Sequence, residues 1–481
     1  MYIGLDLGTS GLRGILVEDA APLAVAEATY SVSNPHDGWS EQDPGDWLAA
    51  AHSVFGALRE DAPQAFAATT GIAISGHMHG AVLLDEGGVV LRPCILWNDT
   101  RAHAEAAQMD ETDGVRALSG NIVFPGFTAP KLIWVANHEP HISGSVATVM
   151  LPKDYVNYWL TGEHVTEMSD AAGTSWLDVG ARCWSEPLLK AGGMGPDQMP
   201  RLIEGTGTVG HVRDALADEL GLPRGTPVIA GGADNAAAAC GVGVMGEGDA
   251  FVSLGTSGVM LAGRDAYTPL PESAVHTFCH AVPGKWYQMG VVLAATDSLN
   301  WLSRAVGAEP AALTDELGVL AAPGPLQFYP YLAGERTPHN DSHIRGGFTG
   351  LGIATDRTDM TRAVLAGVCF ALRDSFEALK FTGARIESAL AIGGGTRSDH
   401  WTAMLATALD LPLERPAQGE FGAAMGAARI AMCGVTGADP ASVMTKPVIA
   451  ETIGPDPSLR DAYEEAYETY RAGYSHLKAM Q

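Results

Sequence analysis

The sequence predicts an α/β protein built as two large domains, and three observations lead there. Its 481 residues exceed the ~250–300 at which a single hydrophobic core usually stops growing. A turn motif occurs twice: Gly4-Leu5-Asp6-Leu7-Gly8-Thr9-Ser10-Gly11 near the start, and Val252-Ser253-Leu254-Gly255-Thr256-Ser257-Gly258 just past the middle. In both halves short apolar runs alternate with helix-like stretches, which is the pattern of strands interleaved with helices.

Each copy of the turn is followed by a second apolar run, residues 13–17 and 259–261, so each reads as a hairpin closed by Gly, Thr and Ser. Further strands are expected at 70–75 and 389–392, and a helix at 362–379. From 225 to 246 only Asp234 is charged. Pro227, the many glycines and the weak hydrophobicity exclude a membrane span there, leaving a strand, a turn and an Ala-rich helix in a buried hinge. The domain boundary is expected near 230. The first domain then covers 1–230, the second 231–445, and 446–481 is a closing helix. Asp456-Pro457 suits the N-cap and first turn of that helix. Tyr463, Tyr467, Tyr470 and Tyr474 recur at helical spacing, the mark of a packing face more than of a cofactor site.

Composition narrows the functional classes. Hydrophobic residues make up 46% and charged residues 18% of the chain, and the formal net charge is −27. Such a balance fits a globular protein and argues against nucleic-acid or anionic-membrane partners, which need a basic face. The six cysteines stand singly without CxxC pairs, so reduced thiols and a cytoplasmic location are expected. The first residues read as a strand, without the basic and apolar regions of an export signal.

The two turns combine glycine with small hydroxyl residues, leaving backbone N–H groups free to approach a phosphate chain. Ordinary tight turns are the alternative. Asp6 ends the first strand beside Gly8-Thr9-Ser10, where a carboxylate can hold magnesium, directly or through water, next to phosphates. Ser253 takes that place in the second copy, so Gly255-Thr256-Ser257 is expected to embrace phosphate alone. Asp234 follows a strand and two glycines and opens a helix, whose N-terminal dipole is expected to keep it ionised. It reads as a general base or as a simple N-cap.

Ser75-Gly76-His77-Met78-His79-Gly80 comes just after an apolar strand, where α/β proteins usually place ligand contacts. His77 and His79 share a face if the chain is extended, which is open to a metal pair, to hydrogen bonding with a polyol, or to a structural pair. Gly393-Gly394-Gly395-Thr396-Arg397-Ser398 reads as a loop whose backbone can lie close to a nucleotide, or as a linker. Three other patterns fail. Gly284-Lys285 lacks the spacing of a P-loop. Residues 241–246 match GxGxxG but stand between a helix and a strand, the reverse of the dinucleotide order. His276, Cys279 and His280 have no fourth ligand at a zinc-like spacing.

Taken together, residues 6–11, Trp39-Ser40-Glu41-Gln42-Asp43-Pro44, Ile95-Leu96-Trp97-Asn98-Asp99, and residues 232–235, 253–258 and 393–398 resemble the FGGY carbohydrate kinases in order and distance. Residues 76–80, Leu151-Pro152-Lys153-Asp154-Tyr155, Met168-Ser169-Asp170-Ala171-Ala172-Gly173-Thr174 and Gly334-Glu335-Arg336-Thr337-Pro338-His339-Asn340 carry the similarity over nearly the whole chain. The resemblance implies two actin-like, ribonuclease H-type domains with ATP in the cleft between them and a sugar deeper, mostly against the first. It implies Asp234 as catalytic base, and Met78, His79 and Asn235 as sugar contacts, with His77 beside them. Asp6 would support magnesium and phosphate. Gly8, Thr9, Ser10, Gly255, Thr256 and Ser257 would face the phosphates, and Gly394 and Gly395 the adenosine. The family's familiar glutamine before Met-His is His77 here, and Ala233 and Ala238 replace glycines around the base. The expected reaction is ATP-dependent phosphorylation of a small ketose, D-xylulose before ribulose or glycerol; the alternative from another class is an actin- or chaperone-type ATPase. The expected partners are a small sugar and ATP with Mg2+, a homodimer being left open.

Overall fold

The computed structural model describes residues 1–19, 21–417 and 422–480. Strand β1 (Tyr2–Leu7) reverses through residues 8–10 into β2 (Gly11–Glu18), which pairs with β3 (Ala21–Thr29), all antiparallel. The period-2 pattern of β1 puts Ile3, Leu5 and Leu7 out of reach of water and against helix α1 (Pro44–Asp61). That helix starts at Asp43, whose carboxylate accepts from the Gly45 N–H, and it buries Trp47, Val54, Phe55 and Leu58. Strand β4 (Gly71–Gly76) lies parallel to β1 and is buried at every position, as a strand covered on both faces must be. After β5 (Thr208–His211), β6 (Pro227–Ala233) runs parallel to β4 and completes the order β5-β6-β4-β1-β2-β3.

The second half repeats the plan. β7 (Ala250–Leu254) and β8 (Gly258–Arg264) form the second hairpin. β9 (His276–Cys279) and β10 (Trp286–Val292) extend it on one side, antiparallel. β11 (Ala389–Ile392) and β12 (Leu413–Pro416) extend it in parallel on the other, and β13 (Ile449–Ile453) closes the edge. The order is β9-β10-β8-β7-β11-β12-β13. Both hairpins, the strand at 389–392 and the strand near 70–75 thus form where the pattern predicts them.

Beyond α1 the helices that matter for the site are α2 (Thr128–His138), α3 (Asp234–Val242), α4 (Thr296–Val306), α5 (Arg357–Phe381), α6 (Gly422–Thr436) and α7 (Arg460–Ala479). The helix expected at 362–379 is α5, begun five residues earlier by an Asp356/Asp359 capping box. Residues 225–246 fold as strand then Ala-rich helix, β6 then α3, and Gly243 in the left-handed region ends the helix. The expected boundary at 230 falls inside β6, which pairs with β4 as far as Ala233. Helix α6, although it comes from the second half, packs on β1, β4 and β6 of the first sheet and on α3. Its small residues permit this: a Cβ at Gly426 would lie 1.7 Å from the Ala237 carbonyl oxygen, and one at Gly4 would lie 2.0 Å from that of Ala424.

Helix α7 starts one turn after Asp456, whose carboxylate instead accepts from Ser458 in the preceding turn. Its tyrosines pack as expected: Tyr463, Tyr467 and Tyr470 are buried, Tyr467 donates to Asp374 (2.7 Å) and Tyr470 to Tyr331 (3.0 Å), while the Tyr474 ring stacks on His339. No described helix is long and apolar enough to cross a membrane. All six cysteines are free, and only Cys183 is exposed.

Candidate functional site

Strand register brings the two expected carboxylates together. Asp6 on β1 is level with Arg13 on β2 and Ser75 on β4, and Ser75 is level with Gly232 on β6. Two residues past Gly232, Asp234 opens α3, two strands or roughly 10 Å across the sheet from Asp6. Burial, and then the nearby Asp234 charge, push the Asp6 carboxyl up to about 7, with Ser75 and Arg13 opposing. Asp234 is held by its neighbour: the Asn235 backbone N–H (2.6 Å) and side-chain amide (2.9 Å) both donate to Oδ1. The N-cap is Ala233, not Asp234, so the capping alternative falls away. Burial nevertheless outweighs the two hydrogen bonds from Asn235 and pushes Asp234 up to about 6. At neutral pH it is an ionised carboxylate close to the point of accepting a proton, the condition of a useful general base.

The first turn is braced from outside. The Tyr30 hydroxyl donates to the Gly8 carbonyl (2.6 Å), Gln42 to the Thr9 carbonyl (2.6 Å), and Trp97 Nε1 to the Thr9 hydroxyl (3.0 Å). Gln42 and Trp97 come from two motifs that carry the family resemblance, and this is their task. With the carbonyls occupied, the N–H groups of Thr9 and Ser10 have no acceptor among the described residues. The second turn is built alike: Thr296 N–H donates to the Gly255 carbonyl and Ala295 N–H to that of Thr256 (2.9 Å each). Gly393, with φ +90°, crosses so close to Leu254 that a Cβ would lie 2.8 Å from its carbonyl oxygen. Residues Gly394–Arg397, expected as a loop, form one 3₁₀ turn. Gly394 and Gly395 thereby wall a pocket of about 740 Å³ shared with Thr296, Leu299, Asn300 and Pro310.

The expected common face of His77 and His79 does not form. His79 takes φ +72°, so the chain turns between them. His77 is buried edge-on against Trp47 with neither ring nitrogen partnered among the described residues. His79 stacks on Phe127 at 4.5 Å. Its Nδ1 lies 2.7 Å from the Gly173 carbonyl oxygen; a carbonyl only accepts, so Nδ1 carries the proton and Nε2 is left as an acceptor. Burial pulls both imidazoles down to about 3, so both are neutral. Among the described residues no group of three or more His, Cys, Asp or Glu could hold a metal, the His276–His280 segment included. Met78, beside His79, receives the Tyr287 hydroxyl at its sulfur (3.8 Å), so first-domain Met78, Phe124 and Phe127 and second-domain Phe278 and Tyr287 share one buried cluster.

Several supporting residues lie outside the motif reading. Lys131 on α2, fully buried, donates to the His79 carbonyl (2.8 Å), and Thr128 does the same (3.1 Å); the two hold His79 in its unusual backbone conformation. A lone charge in the apolar run 127–136 was the available signal. Gly173 must be glycine, since a Cβ there would lie 2.6 Å from the His79 ring. Ser169 accepts from the Ala233 N–H (3.0 Å) and donates to Glu167, tying the segment 167–173 to the residue before Asp234. Lys153 lies within 3.5 Å of Asp154, Glu167 and Asp170 and neutralises part of this buried acid group.

Residues 1–241 match the N-terminal domain of the FGGY family of carbohydrate kinases, and residues 250–435 match its C-terminal domain. The chain belongs to the FGGY family of carbohydrate kinases. Among FGGY relatives it is 41% identical over 485 residues to the xylulose kinase of Escherichia coli strain K12, covering 99% of each chain. A solved structure described as a xyloylose kinase from Brucella ovis superposes with a TM-score of 0.97 at 53% identity, covering 100% of both chains. The xylulose kinase from Rhodospirillum rubrum does so with a TM-score of 0.92 at 32% identity, covering 99% of both. The fold is therefore the family's pair of actin-like domains, and the expected fold class holds.

Proposed function

We propose that this chain transfers the terminal phosphoryl group of ATP to D-xylulose, giving D-xylulose 5-phosphate, with Asp234 as general base. What carries the proposal is the position of Asp234: it ends the strand row that holds Asp6 and the first turn, and it is tied through Ser169 to the segment that orients His79. The full-length likeness to xylulose kinases supports the choice of sugar.

In this reading Asp234 accepts a hydrogen bond from the terminal hydroxyl of the open-chain ketose and aligns that oxygen for in-line attack. Phosphoryl transfer passes through a loose transition state, so the proton moves to the carboxylate late. His79 Nε2, an acceptor, takes a hydrogen bond from another hydroxyl, and Met78 packs against the carbon chain. His77, whose two ring nitrogens have no partner among the described residues, is available to a third. The N–H groups of residues 9–10 and 256–257, which have no acceptor among the described residues, face the phosphates, and the pocket beside Gly394 and Gly395 receives the adenosine. Asn235 fixes the rotamer of the base.

The residues fit magnesium. Asp6 offers hard oxygen ligands, Arg13 and Ser75 only partly offset the burial that raises its carboxyl, and the lack of a larger acidic cluster among the described residues suits an ion that arrives with phosphates instead of in a protein cage. Bound there, magnesium would neutralise charge on the phosphoryl oxygens. A reducing cytoplasm agrees with the six free cysteines.

The test is a panel of D-xylulose, D-ribulose, L-ribulose and glycerol at saturating Mg-ATP, followed as ADP release. D-xylulose is expected to give the highest kcat/KM. A tenfold advantage for ribulose or glycerol would refute the substrate and leave the kinase chemistry standing; ATPase activity indifferent to every sugar would refute both.

A further inference from the structure

Two side chains from the second domain have no role in the chemistry above. Arg336 places its guanidinium carbon 4.8 Å from the centre of the Phe124 ring. No described residue pairs with that guanidinium through a hydrogen bond or a salt bridge. The neighbouring Glu335 uses Oε1 on the backbone N–H groups of Leu293 and of Arg336 itself. Burial draws Arg336 down to about 10, still cationic at neutral pH. His276, at the start of β9, is 1% exposed, and neither ring nitrogen has a partner among the described residues. Its ring lies 5.1 Å from Phe124 and 5.9 Å from Phe127, the ring on which His79 stacks. A buried imidazole without partners is a costly arrangement in a protein interior, and the partly exposed guanidinium near it keeps its donors open to a ligand. Both flank the phenylalanines beside His79.

The chemistry of the donors indicates what belongs there. A guanidinium only donates, whereas His79 Nε2 and the Asp234 carboxylate only accept. Hydroxyls satisfy the acceptors. A ketone oxygen, which accepts and never donates, matches the guanidinium, and in an open-chain 2-ketose it lies at the end away from the hydroxyl that Asp234 serves. We infer that Arg336, backed by His276, is the second-domain contact for the carbonyl end of the sugar and sets the preference for a ketose over the pentitol of the same configuration. The inference rests on the sugar-kinase reading above. Because Arg336 reaches the first domain's Phe124 from the second domain, the contact also couples sugar recognition to the approach of the two domains.

The experiment compares wild type with Arg336→Met and Arg336→Lys, measuring kcat/KM for D-xylulose and the competitive inhibition constant of xylitol at saturating Mg-ATP. Loss of one charge-assisted hydrogen bond is expected to lower kcat/KM of Arg336→Met for D-xylulose roughly ten- to a hundredfold, mainly through KM. The xylitol constant should move less than about threefold and the KM for ATP should not change; Arg336→Lys should recover part of the loss. Equal losses for ketose and pentitol, or no loss, overturn the inference. If Arg336→Met does not fold, Arg336→Lys decides alone: an unchanged ratio of ketose to pentitol refutes it. Wild-type enzyme that fails to phosphorylate D-xylulose would instead refute the proposed substrate, so the two failures are distinguishable.

Discussion

Replacing Asp6 by Asn separates what the site costs the fold from what it gives the reaction. The Asp6 carboxyl is raised from 3.8 to about 7 in the folded chain, first by burial and then by Asp234. Between those values the native protein holds a proton that the unfolded chain has released. The associated stability is therefore complete below pH 3.8 and is lost as pH rises through about 7. At about 1.4 kcal/mol per pH unit the rise bounds the loss at about 4 kcal/mol. The carboxylate has some access to the cleft, which brings the expected value nearer 2 kcal/mol. Asparagine is nearly isosteric and carries no charge, so it escapes the penalty. Calorimetry with a chelator and without nucleotide should show Asp6→Asn melting above wild type by roughly 4–8 °C at pH 8, with the two nearly converging at about pH 4. Turnover should fall by roughly a hundredfold or more, since the carboxylate no longer supports the metal-bound phosphates. A variant that melts below wild type at pH 8, or differs from it equally at both pH values, would refute the burial argument; a variant with unchanged turnover and magnesium dependence would refute the metal role.

Three further outcomes are expected. Asp234→Ala should abolish phosphorylation while titration calorimetry finds nucleotide affinity within about twofold of wild type, because the residue serves the hydroxyl and not ATP; joint loss of both would make it structural. The base must be unprotonated to act, and burial raises Asp234 to about 6 and Asp6 to about 7. kcat/KM should accordingly fall as pH drops through 7 to 6 and below, with apparent values belonging to the pair; a profile flat from pH 8 to 5 would count against this. Gly173→Ala would put a Cβ 2.6 Å from the His79 ring and 2.7 Å from Met78 Cε. The KM for the ketose should rise roughly ten- to a hundredfold with little change for ATP, and an unaltered ketose KM would show that His79 is not positioned by this contact.

Local chemistry made much of this protein legible without coordinates. The hairpins at 2–18 and 250–264 are written in short apolar runs around Gly, Thr and Ser, and the helix begun by Asp234 is written in glycines followed by alanines; turn geometry and periodicity operate within a few residues. The tyrosine stripe of α7 was readable for the same reason. The direction of each functional group was not. His77 and His79 look equivalent on an extended chain, and only the carbonyl held by Lys131 and Thr128, 52 and 49 residues away, turns His79 toward Phe127. The ionisation of Asp234 was expected from its helix and is governed instead by burial among segments brought from both domains. The N–H before it is fixed by Ser169, 64 residues earlier. Arg336 and His276 reach the first domain's phenylalanines across more than 140 residues of chain. A sequence fixes which residues a strand or helix contains because those forces are local; which atoms face the substrate, and with what charge, depends on desolvation and contacts that exist only once distant segments have packed.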